Sequence, residues 1–131
     1  MRSIRRRART VIWALFLATA FVATHLPPPA LRLPPDLSDK LLHVAGFSAL
    51  GIMTIWRMGD VPRGITIRVL ALSFVGLVAY GIFDEATQPY FGRTFDLLDW
   101  AADIGGAAVG TAIAAGCYRC LPRTEESSRL G

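Results

Sequence analysis

Gly81-Ile82-Phe83-Asp84-Glu85-Ala86-Thr87-Gln88-Pro89-Tyr90-Phe91-Gly92-Arg93-Thr94-Phe95-Asp96-Leu97-Leu98-Asp99-Trp100-Ala101-Ala102-Asp103-Ile104-Gly105-Gly106-Ala107-Ala108-Val109-Gly110 is the stretch whose reading decides the fold. It places a dense polar cluster between two apolar segments. In a soluble protein this would be an ordinary surface loop. The chain, however, is 53% hydrophobic and only 18% charged. In that setting the cluster belongs at a membrane surface, where ionisable groups are costly unless paired or wet.

Outward from this stretch the chain divides into apolar segments. The one before it runs from about Ile65 to Phe83, with its helix continuing to Gln88 before Pro89 stops it. The one after it starts near Phe95 and ends near Tyr118. Further upstream, Lys40 to Trp56 forms another span. Thr10 to Leu26 forms a first one, slightly short of the usual length of about 20 residues. That first segment has a rival reading as a signal peptide, with a basic start, an apolar middle and small residues Ala18, Ala20 and Ala23. Between the first two spans, Pro27, Pro28, Pro29, Pro34 and Pro35 prevent a helix from continuing. Asp36 or Ser38 can cap the next helix, with Asp39 in its first turn. Arg57, Gly59, Asp60, Pro62 and Arg63 make a short turn between the second and third spans.

The fold class is therefore all-α: a polytopic membrane protein built as a bundle of four transmembrane helices. Residues 1–9 form a basic cytoplasmic N-terminus, 10–118 the membrane domain and 119–131 a polar tail. Arg2, Arg5, Arg6, Arg7 and Arg9 stand directly before an apolar segment, which marks a cytoplasmic membrane flank rather than a nucleic-acid contact. With both termini in the cytoplasm, eleven of the fourteen Lys and Arg residues fall inside and only Arg32, Lys40 and Arg93 outside. The expected location is the cytoplasmic (inner) membrane. Cys117 and Cys120 have redox or half-zinc-site spacing, but no second pair exists, and two small residues at a helix end is the favoured reading.

This topology gathers polar residues from distant parts of the chain at the outer face. His25 ends the first span there; Asp39, Lys40 and His43 begin the second. Asp84, Glu85 and Gln88 end the third; Arg93, Asp96, Asp99 and Asp103 lead into the fourth. Asp84 and Gln88 share a helix face, as do Asp39 and His43. Asp96, Asp99, Asp103, Gly106 and Gly110 step by three or four residues and form one stripe. Gly106-x-x-x-Gly110 permits close helix contact in lipid, either within the bundle or between two copies, so the acids on that stripe should face the interior.

Each residue also has a structural reading. Asp96 suits an N-cap or first-turn acid, and Asp99 can serve the same end. Arg93 can be simply the counter-ion that makes the acids tolerable, which alone would be structural. His43 is either a satisfied interfacial histidine or a proton-transfer or ligand group. Asp84 and Glu85 are harder to explain structurally, because a helix C-terminus disfavours negative charge. Trp13, Trp56, Trp100 and Tyr118 read as interfacial anchors.

Asp39-Lys40-x-x-His43, Asp84-Glu85-x-x-Gln88, Gly92-Arg93, and Asp99 followed by Gly106 and Gly110 resemble the VanZ-like family of small bacterial integral membrane proteins. The resemblance covers roughly residues 36–115. The family usually has asparagine where this chain has Asp103, so the cluster here carries one more acid. The resemblance implies a multi-span helical domain with a candidate site of His43, Asp84, Glu85, Gln88, Arg93 and Asp99. The name-giving member is associated with low-level resistance to the lipoglycopeptide teicoplanin, and the family has no settled reaction.

The favoured function is a non-enzymatic envelope protein binding a membrane lipid, cell-wall precursor or amphiphilic antibiotic at the outer-face cluster. Its partners would be such amphiphiles, with homo-oligomerisation open and nucleic acid not expected. Two alternatives remain. One is a membrane-embedded enzyme using His43 or Glu85 as base and Arg93 to stabilise an anion, with or without a divalent metal on the carboxylates and His43. The other is a small proton-coupled transporter. No Ser-His-Asp, two-histidine metal or phosphate-loop motif is present, which makes the enzyme the less favoured reading; no cofactor and no metal are expected.

Overall fold

The structure, a computed structural model, describes residues 2–26, 35–59 and 65–120. These fold as α1 (Arg2–His25), α2 (Pro35–Met58), α3 (Ile67–Thr87) and α4 (Leu97–Cys120), with a 3-10 turn Gln88–Phe91 closing α3. All four helices are long and apolar enough to cross a membrane. The 24 residues of α4 span about 36 Å at 1.5 Å per residue, more than the roughly 30 Å hydrocarbon core of a bilayer. This is the architecture of a multi-pass membrane protein.

The distribution of side chains fits lipid as the surrounding medium. Leu15 is 63% exposed, Leu72 65% and Val75 61%, while His43, Asp84, Glu85, Gln88 and Asp103 are all 1% exposed or less. Water would drive this partition the other way. The apolar core is correspondingly small: Phe47, Leu50, Leu77 and Ala107, with Phe16, Leu17, Ala20, Phe74 and Tyr80 packed against it.

Close approach of α2 and α4 organises the bundle. A Cβ on Gly106 would strike the Val44 carbonyl, and one on Gly110 the Ser48 carbonyl. From the other side, a Cβ on Gly51 would lie 2.9 Å from the Thr111 amide nitrogen. The Gly106-x-x-x-Gly110 seam is thus occupied within the chain, by α2. Packing of small residues replaces the hydrophobic drive that lipid does not supply.

Several boundaries differ from the sequence expectation. Helix α1 starts at Arg2 rather than near Thr10, because arginine is a good helix former and nothing interrupts the basic run. The basic N-terminus and the first span are one helix. Helix α2 starts at Pro35, whose fixed φ suits a first helical turn; Asp36 is then already helical, and the side chains of Asp36 and Ser38 lie outside the described residues. The cap of α3 is Thr66, whose hydroxyl accepts from the Val69 amide. Pro89 does not end the helix outright: Gln88–Phe91 tightens into the 3-10 turn, and Gly92, at φ 79°, reverses the chain. The first proline-rich loop, the residue 60–64 turn and the polar tail lie outside the described residues.

At one end of the bundle Arg9 donates to the Trp56 carbonyl and lies over the Trp56 ring, Arg57 lies over Trp13, and Tyr118 donates to the Trp56 carbonyl. Trp13 also donates to Thr54 at 3.0 Å. Trp100 differs from these: it is partly buried, donating to the Val78 carbonyl between α4 and α3. Cys117 and Cys120 are free and exposed at the last turn of α4. All acidic residues among the described residues lie at the opposite end.

Candidate functional site

The acidic end is built from four chain segments. Helix α1 delivers Thr24 and His25, α2 delivers Asp39, Lys40 and His43, the α3 end delivers Tyr80, Asp84, Glu85, Thr87 and Gln88, and the start of α4 with its leading loop delivers Arg93, Asp96, Asp99 and Asp103. Helical spacing puts His43 inward from Asp39, and Asp103 inward from Asp99, one turn deeper in each case.

His43 is the hub. Its Nδ1 lies 2.8 Å from Asp103 Oδ1 and 3.9 Å from Glu85 Oε1, and its Nε2 lies 4.0 Å from Asp99 Oδ2. A carboxylate can only accept, so Nδ1 carries the proton in the bond to Asp103. Glu85 is held at both oxygens, accepting from Gln88 Nε2 and from the Asp96 backbone amide, each at 3.0 Å. Asp84 accepts from the Thr24 hydroxyl at 3.0 Å, which ties α3 to α1. His25 reinforces that tie: Nδ1 donates to the Phe21 carbonyl and Nε2 lies 2.9 Å from the Thr87 hydroxyl.

The cations sit nearer the rim. Lys40 Nζ donates to Asp99 Oδ1 at 3.0 Å and Asp96 Oδ2 at 3.2 Å. Arg93 pairs with Asp39 and donates to the carbonyls of Thr24 and Leu26 at the end of α1. Asp96 caps α4, its Oδ1 accepting from the Leu98 amide at 2.8 Å. That amide, and then Lys40, hold the Asp96 carboxyl below the usual carboxylate range.

Every residue in the sequence-derived cluster is brought to this one site. The arrangement separates them by depth: Asp39, Lys40, Arg93 and Asp96 form a partly exposed ring, and His43, Glu85, Asp99 and Asp103 lie beneath it. Thr24, Thr87 and Tyr80 were missed. Threonines are common in apolar helices, and only Thr24's place beside His25 hinted at a role. Tyr80 lies within electrostatic reach of Asp84 and Asp103, one turn below Asp84.

Not all the buried polar atoms are satisfied. His43 Nε2, Asp84 Oδ2, Gln88 Oε1, Asp103 Oδ2 and the Tyr80 hydroxyl lack a hydrogen bond of good geometry among the described residues. Buried groups left unmet by the protein are met by water, by an ion or by a ligand.

An apolar cavity lies beside this cluster. A groove of about 440 Å³ runs between α1, α2 and α3 from Trp13 and Arg57 to Tyr80, with Leu17, Leu72 and Leu77 along its walls. It is open on one side and reaches Tyr80, one helical turn below Asp84.

No family model, curated protein or solved structure matches this chain.

Proposed function

We propose that this chain is a VanZ-like protein of the bacterial cytoplasmic membrane that binds an amphiphile, holding its apolar chain in the groove and its polar head at the acidic end. The observation that carries this reading is the meeting of the two at Tyr80: an apolar groove open on one side ends under a cluster of charged and unsatisfied polar groups. Ligand sites are mostly apolar with a few convergent polar groups, and this pair of features matches that description. The amphiphile class comprises membrane lipids, cell-wall precursors and lipid-bearing glycopeptides.

The orientation follows from charge. The Arg9–Trp56–Arg57 end carries the basic residues and belongs in the cytoplasm with both termini; the acidic end belongs outside. Catalysis is the weaker alternative, because Nδ1 of His43 and both oxygens of Glu85 are engaged with neighbours in a buried setting. Proton transport has less support still. The described acids lie at one end with His25, His43 and Gln88, and the other buried polar residues among those described are Thr54, Ser73 and Thr111.

The test is expression in a susceptible bacterial host, with teicoplanin and vancomycin sensitivity measured for the unaltered chain, Glu85→Gln and Arg93→Ala at equal membrane levels. Protection against the lipid-bearing drug, lost in either variant, supports the resistance reading. No protection by the unaltered chain removes that reading and leaves an endogenous amphiphile as ligand.

A further inference from the structure

We infer that His43 Nε2, Asp99 and Asp39 form a binding site for one first-row divalent cation of the Zn²⁺ or Mn²⁺ class, at the outer end of the bundle. The inference rests on these residues alone and not on the amphiphile reading.

Charge gives the first argument. Among the described side chains, Asp39, Asp84, Glu85, Asp96, Asp99 and Asp103 converge with Lys40 and Arg93 as the only Lys or Arg. Six carboxylates against two cations leave four negative charges if all are ionised, and two if both histidines are protonated. Such an excess in a largely buried site is relieved by protonation of carboxyls or by a further cation.

Geometry gives the second and independent argument. Nε2 of His43 is fully buried and has no hydrogen-bond partner among the described residues. Its other nitrogen donates to Asp103, which fixes the tautomer with the Nε2 lone pair directed away from Asp103. This is the carboxylate–histidine–metal arrangement, in which an outer carboxylate orients the ligating ring. Nε2 and Asp99 Oδ2 are 4.0 Å apart. Two donors each about 2.1 Å from one ion lie roughly 3–4 Å apart, so this separation suits a shared ion. Asp39, His43 and Asp99 each offer a donor atom, all within 4.8 Å of one another.

A second triplet, His43, Glu85 and Asp103, has similar spacing but fewer open donors. Both Glu85 oxygens accept hydrogen bonds, and Asp103 Oδ1 is taken by His43. On the Asp39–Asp99 side, Lys40 binds Asp99 through Oδ1 and Arg93 binds Asp39 through Oδ2. Among the described residues one oxygen of each carboxylate is left for the ion, and the partly exposed Asp39 gives access from solution. An imidazole with two carboxylates selects Zn²⁺ or Mn²⁺ over Mg²⁺ and Ca²⁺.

The test uses the full chain in mild detergent with Cys117 and Cys120 changed to serine, so that thiol ligation is removed. Chelator-stripped protein is titrated with Zn²⁺, Mn²⁺ and Mg²⁺ by calorimetry. The expected result is one Zn²⁺ or Mn²⁺ per chain, with Mg²⁺ at least tenfold weaker. Asp99→Asn and His43→Gln should each lose more than tenfold in affinity, and Asp103→Asn about tenfold. Glu85→Gln should change it less than fivefold. Circular dichroism and gel filtration identify variants that fail to fold, and Co²⁺ absorption of the cysteine-free chain reports nitrogen and oxygen ligation without any cluster variant. Absence of stoichiometric binding, equal Mg²⁺ affinity, indifference to Asp99→Asn, or a large loss in Glu85→Gln overturns the assignment.

Discussion

His43 and Asp103, sixty residues apart in sequence and on different helices, meet at 2.8 Å with both side chains 1% exposed or less. This bond joins α2 to α4 one turn above the glycine seam. Asp103→Asn keeps an acceptor for Nδ1–H and should leave the fold intact. Asp103→Leu strands a buried donor, which costs about 1–3 kcal/mol. Thermal unfolding in detergent should therefore rank the chain and Asp103→Asn close together, with Asp103→Leu clearly below.

The seam itself makes a sharper contrast. Gly110→Ala drives a methyl group into the Ser48 carbonyl and should cost at least the roughly 1–3 kcal/mol of overpacking. Gly105→Ala and Gly116→Ala meet nothing within 4 Å and should be neutral or stabilising by up to about 1 kcal/mol. Melting temperatures of the three variants check this; equal effects would mean α2 and α4 are not this close.

Asp96 governs acid sensitivity at the rim. Its pKa is lowered on folding, so its contribution is complete above its ordinary value of about 4 and is lost as pH falls through the lower folded value. Asp96→Asn keeps a good cap and should match the unaltered chain at pH 7 while losing part of the stability decline below about pH 4. Asp96→Ala should cost about 1 kcal/mol at pH 7 as well. A pH series of unfolding curves separates the two.

Orientation is open to chemical labelling. A membrane-impermeant thiol reagent should modify the exposed Cys117 and Cys120 in inside-out vesicles and not in right-side-out ones. Thr94→Cys in a cysteine-free background should show the reverse. Labelling from the opposite sides would invert the proposed topology.

The four helices were legible because apolar runs of that length have few other uses. The convergence of His43, Asp84, Glu85, Gln88, Arg93, Asp99 and Asp103 was legible because antiparallel spans place alternate helix ends together. The pairings were not. Arg93 sits among several acids in sequence yet pairs with Asp39 across the bundle, and Lys40 takes Asp96 and Asp99. Such choices depend on helix rotation, which the α2–α4 glycine contacts set. The groove was also invisible, since it arises where α1 and α3 diverge around α2.

The central claim is that one amphiphile occupies the groove with its head at the acidic end, and native mass spectrometry of the chain extracted in mild detergent tests it most directly. The account predicts one bound amphiphile per chain, lost in Gly76→Trp, whose side chain has open space to fill the groove. Glu85→Gln should retain a bound species with altered headgroup preference. An unaltered chain that carries no amphiphile, or a Gly76→Trp variant that carries the same complement, would contradict it.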